Sequence, residues 1–323
     1  MDGPSGLARR SGADLAATLV VTIWGVNFAL QKAALAEFDA LTFTFLRFLG
    51  MVALGWAVLG WRVRSQAGEI GIARADWPRV ALAGMLGYSL FVLLSTLALS
   101  YTTAFSNALL IATAPLFTAI LLRGLGLEPV GAGQWLGMLV SLLGVLLFLL
   151  DKLGSGPGAA SLGDGISLVA AFCFAAYSVV NKPLLARYLV PVVIGHTLTV
   201  GAVPPLLLSL PAIVGQDWGR VSAAGWSALA WSIVFPIYVA WSIWSWVIAR
   251  VGVARTAPFM YLVPVVGGVA SWLLLGEGFG PLKVAGAALT LAGLALARRL
   301  SAVKPARDRG ATVPVRVMEP GEG

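Results

Sequence analysis

The sequence predicts an all-α polytopic membrane protein with ten transmembrane helices, arranged as two inverted five-helix repeats. Three observations lead to this fold class. Of the 323 residues, 59% are hydrophobic and 11% are charged, whereas soluble domains average about 25% charged residues. Ten segments have the roughly 20 mostly apolar residues that a membrane-spanning helix needs. The two halves of the chain also repeat polar residues, prolines and glycines at a nearly constant offset.

The predicted spans account for most of the chain. Their apolar surface is tolerated because lipid, unlike water, solvates an apolar exterior. The spans are 14–35, 40–61, 78–98, 101–122, 133–150, 164–183, 192–214, 224–248, 253–275 and 281–300. The chain accordingly divides into a cytoplasmic N-terminus (1–13), a first repeat (14–150), a Gly/Ser-rich linker (151–163), a second repeat (164–300) and a polar cytoplasmic tail that we expect to be disordered (301–323).

Positive charge sets the predicted orientation. The net charge of +8 lies in short clusters between apolar runs, which argues against a nucleic-acid partner. With the N-terminus in the cytoplasm, 17 of the 22 lysines and arginines fall on the cytoplasmic side, 4 fall on the other side and Arg47 lies within a span. Cytoplasmic loops carry such an excess. We therefore expect a bacterial-type inner-membrane protein with both termini cytoplasmic, which requires an even number of spans.

The two halves correspond at an offset of 149 or 150 residues. The matched pairs are Asp14 with Asp164, Lys32 with Lys182, Pro115 with Pro264, Glu128 with Glu277, Gly137 with Gly286, and Gly144 with Gly293. Because each half has an odd number of spans, the two copies enter the membrane from opposite sides. Many secondary transporters are built from inverted repeats, with the substrate bound near the midplane between the copies.

Signatures of enzymes and metal sites are missing from the sequence. There is one histidine, His196, and one cysteine, Cys173, which excludes a His/Cys metal cluster. No Walker loop, HExxH or GxSxG sequence occurs. We therefore expect no catalytic residue, no metal and no cofactor.

Span 1 carries the first candidate binding residues. Asn27 and Gln31 share one face of the helix, and Trp24 and Phe28 share an adjoining face. An amide stripe beside an aromatic stripe suits a small amphipathic solute. Because polar side chains are costly against lipid, Asn27 either contacts substrate or hydrogen-bonds another helix. Both interpretations are open from the sequence.

Two cations belong to the first two spans. Arg47 lies about seven residues inside span 2, deeper than a side chain that only reaches for the interface. It pairs with a helix carbonyl or carboxylate, or it meets the charged end of a substrate. Lys32 lies near the outer end of span 1, where reaching for the interface is the simpler interpretation.

Other aromatic, amide and proline residues complete the candidate site. Aromatics near the middle of a span favour a cavity lining over an interface anchor. Matched prolines in spans 4 and 9 each remove a backbone hydrogen bond, which favours paired hinges over two static kinks. The predicted substrate-binding residues are Trp24, Asn27, Arg47, Tyr88, Asn107, Tyr177, Tyr238 and Trp241, and the predicted hinges are Pro115 and Pro264.

These stretches together resemble the EamA family of the drug/metabolite transporter superfamily, over roughly residues 14–300. In the first half the matching residues are Trp24-Gly25-Val26-Asn27-Phe28 with Lys32, Leu46-Arg47-Phe48, and Tyr101-Thr102-Thr103-Ala104 to Pro115 with Glu128. In the second half they are Ala257-Pro258, Leu262-Val263-Pro264-Val265-Val266, Glu277, Gly286 and Gly293. Gly126-Leu127-Glu128 departs from the Gly-Glu pair usual in the family, which Gly276-Glu277 keeps.

The resemblance implies a ten-helix fold and a secondary carrier, often an exporter of amino acids or related metabolites by alternating access. The likeness is greatest to exporters of cysteine-pathway metabolites. Expected partners are a small-molecule substrate and the lipid bilayer, and the sequence is compatible with a homodimer. The alternatives are a membrane scaffold subunit, which needs no polar interior, and a membrane-embedded enzyme, which needs a catalytic cluster.

Overall fold

Helices form every regular element of the part that the computed structural model describes, which is residues 4–65, 71–127, 131–153, 159–251, 259 and 261–301. The first half contains α1 (Pro4–Ala34), α2 (Ala40–Ser65), α3 (Trp77–Gly84), α4 (Phe91–Tyr101), α5 (Ala104–Ile111), α6 (Ala114–Gly124) and α7 (Ala132–Leu153). The second half contains α8 (Ala159–Leu185), α9 (Val190–Ser209), α10 (Ala212–Gly215), α11 (Ala223–Val234), α12 (Ala240–Val251), α13 (Leu262–Leu275) and α14 (Pro281–Ser301). Single 3-10 turns at Arg74–Asp76 and Trp218–Arg220 precede α3 and α11.

Eight helical stretches in the described residues are long and apolar enough to cross a membrane. They are Gly12–Ala34, Ala40–Trp61, Arg74–Tyr101, Ala104–Gly124, Ala132–Leu150, Leu162–Leu185, Val190–Ser209 and Ala223–Trp244. The apolar helices Leu262–Leu275 and Pro281–Ala297 are shorter, and they correspond to the predicted spans 9 and 10. The chain is therefore a multi-pass membrane protein, and the count of ten spans stays a prediction.

Several sequence predictions concern residues that the structure does not describe. These are Glu128, residues 154–158 of the predicted linker, residues 253–258 and 260 of the predicted span 9, and residues 302–323 of the predicted tail. The rest of the predicted linker is helical, because α7 runs to Leu153 and α8 begins at Ala159. At the other end, α1 begins at Pro4, ahead of the predicted first span, and its candidate membrane stretch is Gly12–Ala34. Proline is tolerated at the first position of a helix.

Two of the membrane helices contain a π-helical segment at their centre. The segment Met85–Leu90 joins α3 to α4, and the segment Phe235–Val239 joins α11 to α12. The two segments start 150 positions apart, which is the offset that relates the two halves of the sequence. A π segment widens the helix and turns the side chains that follow it, and it is frequent at functional sites.

The fourth span is interrupted. Helix α5 ends at Ile111, α6 begins at Ala114, and Pro115 lies in the first turn of α6. Proline fits there because the first turn of a helix has no backbone acceptor for its N–H groups. The sequence predicts a kink at Pro115, and the structure has a helix break directly before it. Pro264 likewise lies in the first turn of a helix, α13.

The packing of the two halves follows the same correspondence. Helix α1 packs on α13 and on the α11–α12 span, while α8 packs on α5–α6 and on the α3–α4 span. Helix α2 packs on α9, and α7 packs on α14. These contacts correspond between the halves: span 1 packs on spans 8 and 9 as span 6 packs on spans 3 and 4, and the other two pairs each join equivalent helices. Spans 1 and 6 therefore lie against spans of the opposite half.

Helices α7 and α14 approach each other closely at four glycines. A Cβ atom on Gly137 or Gly144 would collide with the backbone of Ala297 or Thr290. In return, a Cβ on Gly286 or Gly293 would collide with the backbone of Phe148 or Ser141. Small residues allow such contact between membrane helices, where dispersion forces replace the hydrophobic effect. The predicted small-residue stripe is thus a helix interface.

Candidate functional site

Trp24 connects span 1 to the π segment of span 8. Its indole Nε1 donates a hydrogen bond of 2.9 Å to the carbonyl oxygen of Pro236, and its ring meets the ring of Trp244 edge to face at 5.3 Å. Carbonyl groups within a π segment lack the regular helical partners, so a neighbouring indole can satisfy one. Trp24 therefore contacts the irregular part of the opposite half.

Two predicted tyrosines face each other across spans 3 and 6. The rings of Tyr88 and Tyr177 lie 6.0 Å apart, and the Tyr177 ring packs over Gly87, where a side chain would collide with it. The Tyr177 hydroxyl accepts a hydrogen bond of 3.0 Å from Asn181 Nδ2. The structure brings these aromatic and amide groups together inside the membrane, and Asn181 is a member that the sequence analysis missed.

Tyr238 is the repeat counterpart of Tyr88, 150 positions further along the chain. The Tyr238 hydroxyl donates to the backbone carbonyl of Met51 at 2.5 Å, next to Gly55, whose missing side chain leaves room for it. Tyr238 therefore ties span 8 to span 2. The side chain of Trp241 lies outside the described part of the structure.

Spans 1 and 2 carry two further buried polar residues, Asn27 and Arg47. Arg47 is 7% exposed, and one of its terminal nitrogens donates 2.9 Å to the Oε1 atom of Gln31. Its Nε atom is buried without a partner in the described residues. Asn27 is also 7% exposed, and its Oδ1 atom lacks a partner in the same part of the chain. Two buried polar side chains thus retain unused hydrogen-bonding capacity.

Asn107 has a structural partner. Its Nδ2 atom donates to the carbonyl oxygen of Ser95 at 3.0 Å, so the side chain ties α5 to α4. Its Oδ1 atom has no partner among the described residues. Asn107 is fully buried. It lies about one turn before the break that precedes Pro115, and its hydrogen bond holds α5 against α4.

The sequence analysis missed the role of one acidic residue. Glu277 accepts backbone hydrogen bonds from Ala104 at 2.7 Å and from Phe105 at 3.3 Å, so it caps α5 across the two halves. Lys32 lies within electrostatic range of this carboxylate and donates to the carbonyl of Leu99. Lys32 therefore makes an internal contact, where the sequence favoured reaching for the interface. The Thr102-Thr103 pair before α5 was the available signal for a helix start.

Two equivalent contacts join the halves at the ends of spans 1 and 6. In the loop after α1, Glu37 accepts from the backbone N–H and the hydroxyl of Ser222, at 2.7 and 2.9 Å. In the loop after α8, Arg187 donates to both oxygens of Asp76, at 3.0 and 3.1 Å, and Tyr188 donates to one of them at 2.7 Å. Each loop thereby fastens the start of the third span of the other half.

Among the described residues, no group of three or more His, Cys, Asp or Glu side chains could hold a metal ion. Cys173 is buried and carries a free thiol. His196 lies between the rings of Trp56 and Trp77, at 5.5 and 5.7 Å. The predicted site residues that the structure buries are amides, tyrosines and one arginine, side chains that suit binding of a solute.

Comparison with known proteins identifies the family. The model of the EamA-like transporter family matches the chain twice, at residues 11–150 and 161–299. A probable amino-acid metabolite efflux pump of Escherichia coli is 28% identical over 89% of this chain and 94% of its own length. A probable terminal-alkyne amino-acid exporter of Streptantibioticus cattleyicolor is 30% identical over 72% of this chain and 78% of its own length.

Relatives of undefined substrate and a solved structure agree with that match. The uncharacterized transporter YdfC of Bacillus subtilis is 30% identical over 68% of this chain and 70% of its own length. A crystal structure that is 19% identical covers 91% of this chain and all of its own, with a TM-score of 0.62, and so shares the fold. The chain belongs to the EamA-like transporter family, within the drug/metabolite transporter superfamily.

Proposed function

We propose that this chain is a secondary transporter that exports an amino acid or a closely related metabolite by alternating access. Membership of a transporter family and relatives named as efflux pumps support the general activity. The interior supports the substrate class, because amides, tyrosine hydroxyls and an arginine suit a small polar solute. Two relatives named for amino-acid compounds favour the same class.

The observation that carries the proposal is the matched irregularity of the membrane helices. The π segments Met85–Leu90 and Phe235–Val239 lie at equivalent positions, and Trp24 and Tyr88 contact the opposite half at or beside them. The fourth span is broken before Pro115. Irregular backbone at membrane depth is tolerated only where protein or a cavity surrounds it. Such breaks commonly form the binding sites and hinges of transporters.

The proposed architecture is a pair of inverted five-helix repeats at residues 14–150 and 164–300. Two separate matches to the family model support this division, as does packing that is unchanged when the halves are exchanged. The excess of positive charge on one side supports an inner-membrane protein with both termini in the cytoplasm. Alternating access would then follow from movement of one copy against the other.

The proposed site lies between the halves. Trp24, Tyr88, Tyr177 and Tyr238 supply its aromatic surface, with Trp241 as a further candidate. Asn27 and Arg47 supply its polar contacts, while Asn107 holds one side of the span 4 break. In this proposal Pro115 and Pro264 lie in the first turns of the two helices that move, α6 and α13.

Flux in reconstituted vesicles tests this function. Purified protein is incorporated into liposomes loaded with labelled L-amino acids, and efflux is compared with that from protein-free liposomes. We expect efflux of a subset of the panel that saturates with substrate concentration. A parallel comparison of the growth medium of overexpressing and deletion cells identifies metabolites outside the panel. Absence of flux together with unchanged media would contradict the proposed function.

A further inference from the structure

We propose that Arg47 is the counter-ion of the substrate carboxylate, and that Asn27 accepts a hydrogen bond from the amino group of the same substrate. This inference rests on the proposed function and narrows it to α-amino acids with a free carboxylate. It starts from the unused hydrogen-bonding capacity of two buried side chains. Neither capacity is explained by a contact in the described structure.

The surroundings of Arg47 lack a negative charge. Arg47 is 7% exposed, its Nε atom has no partner among the described residues, and its terminal nitrogen contacts the neutral amide of Gln31 at 2.9 Å. In the part of the chain that the structure describes, no carboxylate lies against it. The nearest acids along the chain are engaged elsewhere: Glu37 with Ser222, and Asp39 with the backbone of Leu41 and Thr42.

A guanidinium in this position is costly without an anion. Arginine cannot lose its charge in a protein, and it has five N–H donors in a planar fork. One donor is used by Gln31, so most of the fork is left for a ligand. Charged residues within membrane spans usually pair with each other or mark a substrate path. A carboxylate matches the fork with two parallel hydrogen bonds, and the substrate is the available source.

Asn27 adds the second half of an amino-acid site. It precedes Gln31 by four residues on α1, so the two amides share a face about 6 Å apart along the helix axis. Arg47 contacts this face through Gln31. The Asn27 Oδ1 atom is buried without a partner in the described residues, and it is an acceptor. A cationic fork next to a free acceptor complements a carboxylate next to an ammonium group.

The competing explanation is that Arg47 is a clamp between spans 1 and 2. A clamp would stabilise the helix pair through Gln31, and it would be indifferent to the charge of the substrate. Measuring both the affinity for amino acids and the thermal unfolding midpoint distinguishes the two explanations. Binding to the wild-type protein separates them without any substitution.

The first experiment uses wild-type protein in lipid nanodiscs. The thermal unfolding midpoint is measured against increasing concentrations of each common L-amino acid and of the matching amino-acid amide, which keeps the ammonium and lacks the carboxylate. We expect each amino acid that stabilises the protein to bind at least about 10-fold more tightly than its amide, since bonds to charged groups are the strong ones. Equal binding of acid and amide overturns the inference and leaves the proposed function standing. If no amino acid binds or is transported, both fail.

The second experiment replaces the neutral partner of Arg47. Gln31→Glu is nearly isosteric and supplies a carboxylate to the guanidinium. We expect it to raise the unfolding midpoint of the unliganded protein and to weaken amino-acid binding at least about 10-fold, because it occupies the fork. A raised midpoint with unchanged affinity shows a clamp and overturns the inference. Arg123→Gln, at an exposed position in the last turn of α6, is the matched control for loss of a positive charge and should leave affinity unchanged.

Discussion

Glu277 Oε1 lies 2.7 Å from the backbone nitrogen of Ala104, although the two residues are 173 positions apart in the chain. Together with Phe105, which donates to Oε2, and Ser106, which donates to the Thr103 hydroxyl at 3.1 Å, this contact satisfies the first three N–H groups of α5. A carboxylate at a helix N-terminus is also favoured by the helix dipole. The second half of the chain thereby fixes where the helix of the first half begins.

We expect Glu277→Ala to lower the free energy of unfolding by about 2 kcal/mol, because a charged acceptor is lost and two buried N–H groups of α5 are left without a partner. Glu277→Gln should lower it less, since the amide oxygen can still accept one of the two bonds. Titration with a denaturing detergent measures both. Equal stability of the wild type and Glu277→Ala would show that the cap contributes nothing.

The Asp76 contact allows a prediction about the relative weight of its two donors. Asp76 is buried, whereas the Arg187 side chain is 62% exposed. Exposed ion pairs are worth at most about 1 kcal/mol, so Arg187→Gln should have a small effect on the free energy of unfolding. Tyr188→Phe should cost about 1–2 kcal/mol, because the hydroxyl both donates to Asp76 and accepts from the backbone N–H of Ala73. A larger effect of Arg187→Gln than of Tyr188→Phe would reverse this ranking.

The close contact of α7 with α14 makes a matched pair of glycine substitutions informative. Gly144→Ala should destabilise the protein by about 1–3 kcal/mol, since the new Cβ meets the backbone of Thr290 and the helices must separate. Gly165, in α8, has no atom within 4 Å of an added Cβ. Gly165→Ala should therefore be neutral or stabilising by about 0.5–1 kcal/mol, as alanine favours the helix. The unfolding midpoint of Gly144→Ala should lie below that of the wild type, and the midpoint of Gly165→Ala should equal or exceed it.

The sequence predicted an all-helical, multi-pass membrane protein correctly, because apolar runs are local signals. The ends of the eight candidate spans differ from the predicted ends by only a few residues. The division of the fourth span at Ala112 and Thr113 was predicted only as a kink at Pro115. The π segments were not predicted, since at matched positions Met85–Leu90 and Phe235–Val239 share only the tyrosines Tyr88 and Tyr238. The sequence singled out Asn27 and Arg47 as polar residues within spans, and both are buried, but it could not identify Gln31 as the partner of Arg47. That contact depends on how two helices are rotated.

The proposed orientation can be checked with reporter fusions. With inverted repeats and both termini in the cytoplasm, a reporter within residues 151–163 should lie on the side of the membrane opposite to a reporter at residue 323. Alkaline phosphatase activity outside the cytoplasm and green fluorescence inside it distinguish the two locations. Placement of both sites on one side would rule out five spans in the second half.

The break before Pro115 supports the last prediction, which concerns motion. Proline has no N–H group, so the fourth span cannot close a regular hydrogen bond from position 115 to the carbonyl of Ile111. Pro115→Ala supplies that donor and favours a continuous helix through Ala112 and Thr113. If this break bends during alternating access, Pro115→Ala should slow efflux from reconstituted vesicles several-fold while equilibrium binding of the substrate stays unchanged. Pro78→Ala is the matched control, because Pro78 lies in the first turn of α3 after a 3-10 turn, where the added donor joins a helix that is already continuous. Efflux by Pro115→Ala at the wild-type rate would mean that the break is static, and reduced binding would mean that it shapes the site instead of moving it.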